Sequence, residues 1–216
     1  MEFIGTRRAI GIALAIAHVI ANAGSGCTNA LLKTVKNSSR RIEFPTVFSG
    51  RKISMRVAIL TISTSFINGQ RTEDASGNLL AELIQRPPLS AQVAARTAVQ
   101  DDKERIAAIL KLWCDSGAAD VILTTGGTGF AQDDCAPEAA RAVFEKEAPG
   151  IAEALRAETA AKTPLAWLSR AAAGIRGKTI IINLPGSPKA VQECYSVLEK
   201  LLPHAVAILT GEIHQH

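Results

Sequence analysis

The stretch Thr124-Thr125-Gly126-Gly127-Thr128-Gly129-Phe130-Ala131-Gln132-Asp133-Asp134 gathers three glycines, three threonines and two carboxylates directly after the apolar run Val121-Ile122-Leu123. Glycines let backbone N–H groups approach an anion closely, and neighbouring threonine hydroxyls add donors. A carboxylate beside a phosphate is repelled unless a divalent cation lies between them, and Mg²⁺ takes one or two carboxylates together with phosphate oxygens. The glycine loop and Asp134 therefore point to metal-assisted phosphate chemistry. The stretch is not a Walker loop, because no Gly-Lys-[Ser/Thr] follows at the required spacing, and it is not the dinucleotide fingerprint, because GxGxxG is absent. The plainer alternative is a tight turn with an aspartate ahead of a helix.

Such a loop needs a scaffold, and the surrounding pattern supplies one. Arg56 to Ile62 is a short apolar run suited to a buried strand, and a polar loop follows it. Asn78 to Gln85 reads as a helix stopped by Pro87-Pro88, and Val93 to Val99 as a second strand. Ile106, Ile109, Leu110 and Trp113 recur at helical spacing, with Asp101 at the expected N-cap and Glu104 three residues on, as in a capping box. Gly117 ends that helix, and Ala119 to Thr125 is the next buried strand. A helix opens at Pro137, Pro149-Gly150 separates it from another running to about Lys162, and Lys178 to Leu184 is the last strand. Ser187 and Pro188 open a helix to about Leu202, with a short one after Pro203. This order predicts an α/β domain, a three-layer αβα sandwich with a mostly parallel sheet. Ligands gather outside the carboxyl ends of such strands. Three polar loops lie there, Thr61 to Gly77, Thr124 to Asp134 and Asn183 to Ser187.

Composition narrows the class. The chain has 216 residues, 47% hydrophobic and only 4% aromatic, enough apolar material for a full core. Its formal charge of +4 comes from the first 55 residues, where eight Lys/Arg face two acids; from Arg56 onward sixteen face eighteen. The body is thus not basic, and nothing in it suggests nucleic-acid binding. Cys27, Cys114, Cys135 and Cys194 have no CxxC spacing and read as reduced thiols. Residues 1–54 differ in kind. Arg7-Arg8 precede the apolar run Ala9 to Ile20, too short to span a membrane comfortably, and Ala21-Asn22-Ala23 has the look of a secretory cleavage site. The readings are a targeting segment, an unstructured leader, or a start at Met55. The folded body is expected over 55–216, cytoplasmic unless the leader directs it to an organelle or a secretory route, and not membrane-embedded.

From Met55 to about Glu212 the chain resembles the molybdopterin adenylyltransferases, the MogA-like family that includes the G domain of gephyrin. The motifs that carry the resemblance are TTGGTGF at 124–130 with Asp134 and Pro137-Glu138, EAPG at 147–150, PLAWLSR at 164–170, GIRGK at 174–178 and NLPGS at 183–187, in the family's order. The resemblance implies transfer of AMP from Mg-ATP to the terminal phosphate of molybdopterin, with release of pyrophosphate, in molybdenum cofactor synthesis. It also implies a homotrimer and a molybdenum insertase as partner, either separate or transiently docked. Carried over residue by residue, the catalytic, Mg²⁺-holding acids are Asp101 and Asp134. The pterin-binding set is Thr125, Gly126, Gly127, Thr128, Gly129, Ser169, Arg170, Asn183, Pro185, Gly186 and Ser187, with Lys178 a further candidate for the pterin phosphate. Ser63, Ser65, Ser76 and Gly77 are the nucleotide set.

The chain also departs from the family's habit. Where the family has Ser-Asp-Ser after the first strand, Ser63-Thr64-Ser65 lacks the carboxylate; Gln132-Asp133 replaces Pro-Arg; Ala136 replaces Thr; and Gln100 replaces the proline before the first acid. Thr64 and Asp133 favour a rival reading, a molybdopterin-binding or scaffolding protein with the same fold and no turnover. Both catalytic carboxylates remain.

Overall fold

A computed structural model of the chain describes residues 55–212. The leader read over 1–54 lies outside the described residues. The elements run β1 (Arg56–Ile62), α1 (Thr64–Ile67), α2 (Ala75–Gln85), β2 (Gln92–Val99), α3 (Lys103–Asp115), β3 (Val121–Thr125), α4 (Ala136–Arg141), β4 (Lys146–Glu147), α5 (Pro149–Ala160), a 3₁₀ turn (Pro164–Leu168), β5 (Ala173–Arg176), β6 (Thr179–Leu184) and α6 (Pro188–Thr210). They form one six-stranded sheet in the order β2-β1-β3-β6-β5-β4. Strands β2, β1, β3 and β6 are mutually parallel, and β5 runs antiparallel to both of its neighbours.

The three central strands are continuous apolar runs because both of their faces are covered. On one face Val57, Ile59, Leu123 and Ile182 pack with Leu80 and Ile84 of α2, Leu155 of α5, and Val191, Leu198 and Leu202 of α6. On the other, Ala58, Leu60, Ile122 and Ile181 meet Ile106, Leu110 and Trp113 of α3 and the alanines of α4. Alternation along each strand sends successive side chains to opposite layers. The result is the expected αβα sandwich, with its parallel strands delivering their carboxyl ends to one edge. Among the described residues, no helix is long and apolar enough to cross a membrane.

Several local expectations are corrected. The cap of α3 is Asp102, not Asp101: its backbone is extended (φ −134°, ψ 110°) and its carboxylate accepts from Arg105 N. That places Arg105, not Glu104, three residues past the cap, so no capping box forms. Helix α2 starts at Ala75, capped by Asp74, three residues before the expected Asn78. Helix α4 ends at Arg141 instead of continuing to Pro149, because the chain turns into edge strand β4. Pro203 does not divide α6, which runs through it for 23 residues. An interior proline costs about 3 kcal/mol. Leu198 and Leu202 before it, and Val206 and Ala207 after it, are all buried, so an unbroken helix keeps more apolar area than a break. Lys178 lies in the two-residue turn Gly177-Lys178 that joins β5 to β6, at the amino end of β6. It is therefore a strand's length from the loop that follows Leu184, about 20 Å at ~3.3 Å per residue.

Thiol burial gives the fold a pH signature. Burial pushes Cys194 up to about 11 and Cys114 up to about 12 from an ordinary 9.0. The native state holds these protons where the unfolded chain releases them, so stability is complete below pH 9 and falls as pH rises from about 9 toward 11. Cys194, only 3% exposed, contributes up to about 1.4 kcal/mol per pH unit in that window. Urea denaturation at pH 8, 9.5 and 10.5 is expected to show the decline. A Cys114→Ala/Cys194→Ala variant should lessen it between pH 8 and 9.5, while part of the decline at pH 10.5 stays, because burial also pushes the Tyr195 phenol above its ordinary 10.0.

Candidate active site

The loops after β1, β2, β3 and β6 converge at one edge of the sheet. Asp101 stands just past β2, and its Oδ2 accepts from both Thr64 N (3.0 Å) and Thr64 Oγ1 (2.9 Å) at the start of α1. Asp101 N–H returns a bond to Thr64 Oγ1 at 3.1 Å. Ser63 N–H donates to the Val99 carbonyl, so the ends of β1 and β2 are joined as well.

The glycine loop lies against this pair. Gly126 has φ +104° and its N–H donates to the Leu184 carbonyl, while any Cβ there would strike the Ile62 carbonyl. Only glycine lets the loop pass between the ends of β1 and β6. A Cβ on Gly127 would stand 2.9 Å from Asp101 Oδ1, and one on Gly129 would stand 2.8 Å from Asp134 Oδ2. One loop thus brings both sequence-identified acids against its backbone. Asp134 Oδ2 accepts from Ala131 N at 3.1 Å. Each carboxylate has one oxygen bonded within the protein, and among the described residues Asp101 Oδ1 and Asp134 Oδ1 accept no hydrogen bond.

Cys135 reports the local field. Burial raises its pKa first, and the negative charges of Asp101, Glu138, Asp102 and Asp134 raise it further. The edge is therefore electronegative. Among the described residues no cluster of three or more His, Cys, Asp or Glu could hold a metal ion. Two carboxylates with unshared oxygens match a hard cation that completes its shell with water and substrate phosphates.

The other expected residues divide into outward and inward groups. Ser63 caps α1, with Oγ accepting from Phe66 N and lying 3.2 Å from Ser65 Oγ. Ser76 and Gly77 form the first turn of α2 and are buried, held by Asp74. Pro185 is half-buried, while Gly186 and Ser187 are exposed at the start of α6, where Ser187 Oγ accepts from Ala190 N. Thr125 is buried, its hydroxyl donating to the Pro185 carbonyl. Asn183 is also fully buried, donating to Thr124 Oγ1 and accepting from Ala172 N. Thr128 is buried, and its carbonyl accepts from Arg170 N. Ser169 Oγ accepts from Ala171 N.

Arg170 is the brace of the loop. Its Nε donates to the Gly129 carbonyl (2.7 Å) and its Nη2 to the Asp134 carbonyl (2.7 Å), while Nη1 pairs with Glu138. Arg170→Ala is expected to remove about 1–3 kcal/mol of stability, discounted for its partial exposure. Faster amide exchange over 128–134, measured by mass spectrometry, is the accompanying sign; unchanged exchange there would contradict the brace.

Sequence reasoning passed over Asp74 and Arg96, and it noted Thr64 and Glu138 without giving either a role in the site. Asp74 accepts from Thr61 Oγ1 (2.7 Å), Gly77 N (2.9 Å) and Arg96 Nη2 (2.7 Å), tying the nucleotide-side loop to β1 and β2. A charge inside the strand run QVAARTAV, and an aspartate three residues before Gly77, were the available signals. Glu138 Oε2 is buried without a partner, an acceptor the fold leaves unused.

The chain that carries these loops matches a known family. A family model described as "Probable molybdopterin binding domain" matches residues 58–204. The chain belongs to the molybdopterin-binding domain family. A molybdopterin adenylyltransferase of Helicobacter pylori is 38% identical over 143 residues, covering 66% of this chain and 81% of that protein. The Drosophila melanogaster molybdenum cofactor synthesis protein cinnamon is 42% identical over 160 residues, 74% of this chain but only 26% of the relative, so this chain spans about a quarter of it. The crystal structure of the molybdopterin biosynthesis enzyme MoaB from Thermus thermophilus superposes with a TM-score of 0.68 at 43% identity, covering 73% of this chain and 97% of that one. The matched span of the molybdopterin-binding domain, 58–204, contains every converging loop described above.

Proposed function

We propose that this molybdopterin-binding domain is a molybdopterin adenylyltransferase in molybdenum cofactor synthesis. The observation that carries the reading is the placement of Asp101 and Asp134 against Gly127 and Gly129 of one loop, each with a carboxylate oxygen free of internal hydrogen bonds. Similarity to a protein named for this activity supports it.

In the proposed reaction an oxygen of the pterin's terminal phosphate bonds to the α-phosphorus of ATP while the bond from that phosphorus to the departing pyrophosphate breaks. Two polyanions must meet, so the chain's work is positioning and charge compensation. Asp101 and Asp134 would hold Mg²⁺, which when bound neutralises nucleotide phosphate charge. Backbone N–H groups of the glycine loop, with Gly186 and Ser187 at the start of α6, receive the pterin phosphate. Arg170 keeps Gly129 and Asp134 in place, and Thr125 and Asn183 hold the ends of β3 and β6 together. Ser63, Ser65, Ser76 and Gly77 line the nucleotide side.

A homotrimer is part of the same proposal. Phe130, Leu165, Trp167 and Leu168 are large, apolar and exposed, which supports a subunit contact. Light scattering is expected to report three copies. The product, a mixed phosphate anhydride of the pterin, needs a metal-inserting enzyme to consume it, the proposed insertase partner.

Incubation with molybdopterin, ATP and Mg²⁺ tests the reading. Stoichiometric pyrophosphate and adenylylated pterin are expected. Pterin that binds with neither product formed would overturn the enzyme and leave a binding protein.

A further inference from the structure

Thr64 and Asp101 make three hydrogen bonds to each other: two donors from Thr64 converge on Asp101 Oδ2, and Asp101 N–H donates to the same threonine hydroxyl. A hydroxyl can accept from the amide and donate to the carboxylate at once; a carboxylate at position 64 could only accept, and a valine could do neither. The pair is part of a larger closure of two loops. Ser63 N–H donates to the Val99 carbonyl (2.9 Å) and Gln100 Nε2 donates to Asn68 Oδ1 (2.8 Å), on either side of the threonine latch. With Oδ2 held by two donors, Oδ1 is the oxygen that remains, and it is the one lying against Gly127.

We propose that Thr64 is the positioning residue of Asp101: its hydroxyl fixes one carboxylate oxygen and so presents the other to the glycine loop. The proposal rests on the reading of Asp101 as a working carboxylate of the site. It also gives the departure at Ser63-Thr64-Ser65 a physical role. A neutral hydroxyl there orients Asp101 from within the protein, before any ligand arrives, where a further negative charge would repel it.

The test compares Thr64→Val, which keeps size and loses the hydroxyl, with Thr64→Ser, which keeps the hydroxyl and loses a methyl. Amide hydrogen exchange at Asp101 in the full chain, without nucleotide, pterin or metal, reads the latch itself. Exchange is expected to quicken about tenfold or more in Thr64→Val, the effect of one ordinary hydrogen bond, and to stay within about threefold of wild type in Thr64→Ser. In AMP transfer, Thr64→Val is expected to lower kcat about tenfold with KM for the pterin within about twofold, Thr64→Ser to recover it, and Thr64→Val to add nothing in an Asp101→Asn background. Unchanged Asp101 exchange in the valine variant, equal loss in valine and serine, or additive loss with Asp101→Asn overturns the proposal. Should the wild-type chain transfer no AMP, the proposed reaction falls by itself. The exchange contrast between valine and serine then still decides whether the latch exists.

Discussion

Asp134→Asn is expected to lower pterin-dependent pyrophosphate release by about 100-fold or more, while the melting temperature stays within about 2 °C of wild type. Asparagine has the same shape, and its carbonyl oxygen can still accept from Ala131 N, the one hydrogen bond that Asp134 Oδ2 makes. The loop geometry is therefore preserved. Arg170 grips the backbone carbonyl of residue 134, not its side chain, so the brace is indifferent to the exchange. What disappears is a negative charge beside the glycine loop, where the proposed reaction would bring two sets of phosphates together. Asp101→Asn follows the same logic, because an amide oxygen can still receive both Thr64 donors. Turnover by coupled pyrophosphate detection, read beside circular dichroism melts, checks both variants. Near-normal turnover in either one removes that residue from the reaction.

The parts of this molecule that could be read from residue order are those set by local chemistry. Strands β1, β3 and β6 announce themselves as apolar runs because both faces are covered, and helix α3 shows itself through Ile106, Leu110 and Trp113, all three buried. The alternation of strands and helices then leads to a parallel sheet, and a parallel sheet brings its carboxyl-end loops together. What could not be read depends on pairing or on a choice between equals. Strands β4 and β5 are two and four residues long, and they exist only through pairing, β5 beside β6 and β4 beside β5. Gly174 has a low strand propensity, yet in β5 its missing side chain leaves room for the Phe144 ring. Asp101 and Asp102 are equally good caps by composition, and the backbone angle at 102 decides between them. The inward turn of Asn183 follows from register, since β6 pairs Asn183 with Thr124 of β3 and their side chains meet there. Residue type gives polarity, and register gives direction.

Gly126→Ala is expected to be the most damaging single-atom-scale change in the described fold, costing about 3–5 kcal/mol: roughly 1–3 for a backbone angle suited to glycine alone, and a comparable amount for the forced displacement. Its φ of +104° lies beyond the left-handed well that other residues visit occasionally. The new methyl would meet backbone, the Ile62 carbonyl, and backbone cannot rotate away as a side chain can. Relief requires separating the end of β1 from the β3 loop, and that motion carries the loop away from Asp101 on a side where Gly186 leaves little room, since even a Cβ on Gly186 would stand 3.2 Å from Gly126 Cα. Stability and site are therefore lost together. For a domain of this size the cost corresponds to a fall of roughly 10–15 °C in Tm. Gly150→Ala is the control. Gly150 sits in the first turn of α5 with nothing within 4 Å of an added methyl, and alanine there is expected to be neutral or to stabilise by about 0.5 kcal/mol. Thermal melts of the two variants, side by side with pterin binding, separate the effects. If Gly126→Ala melts like Gly150→Ala, the glycine loop is not wedged between β1 and β6, and the shared edge that brings the two aspartates together has some other support.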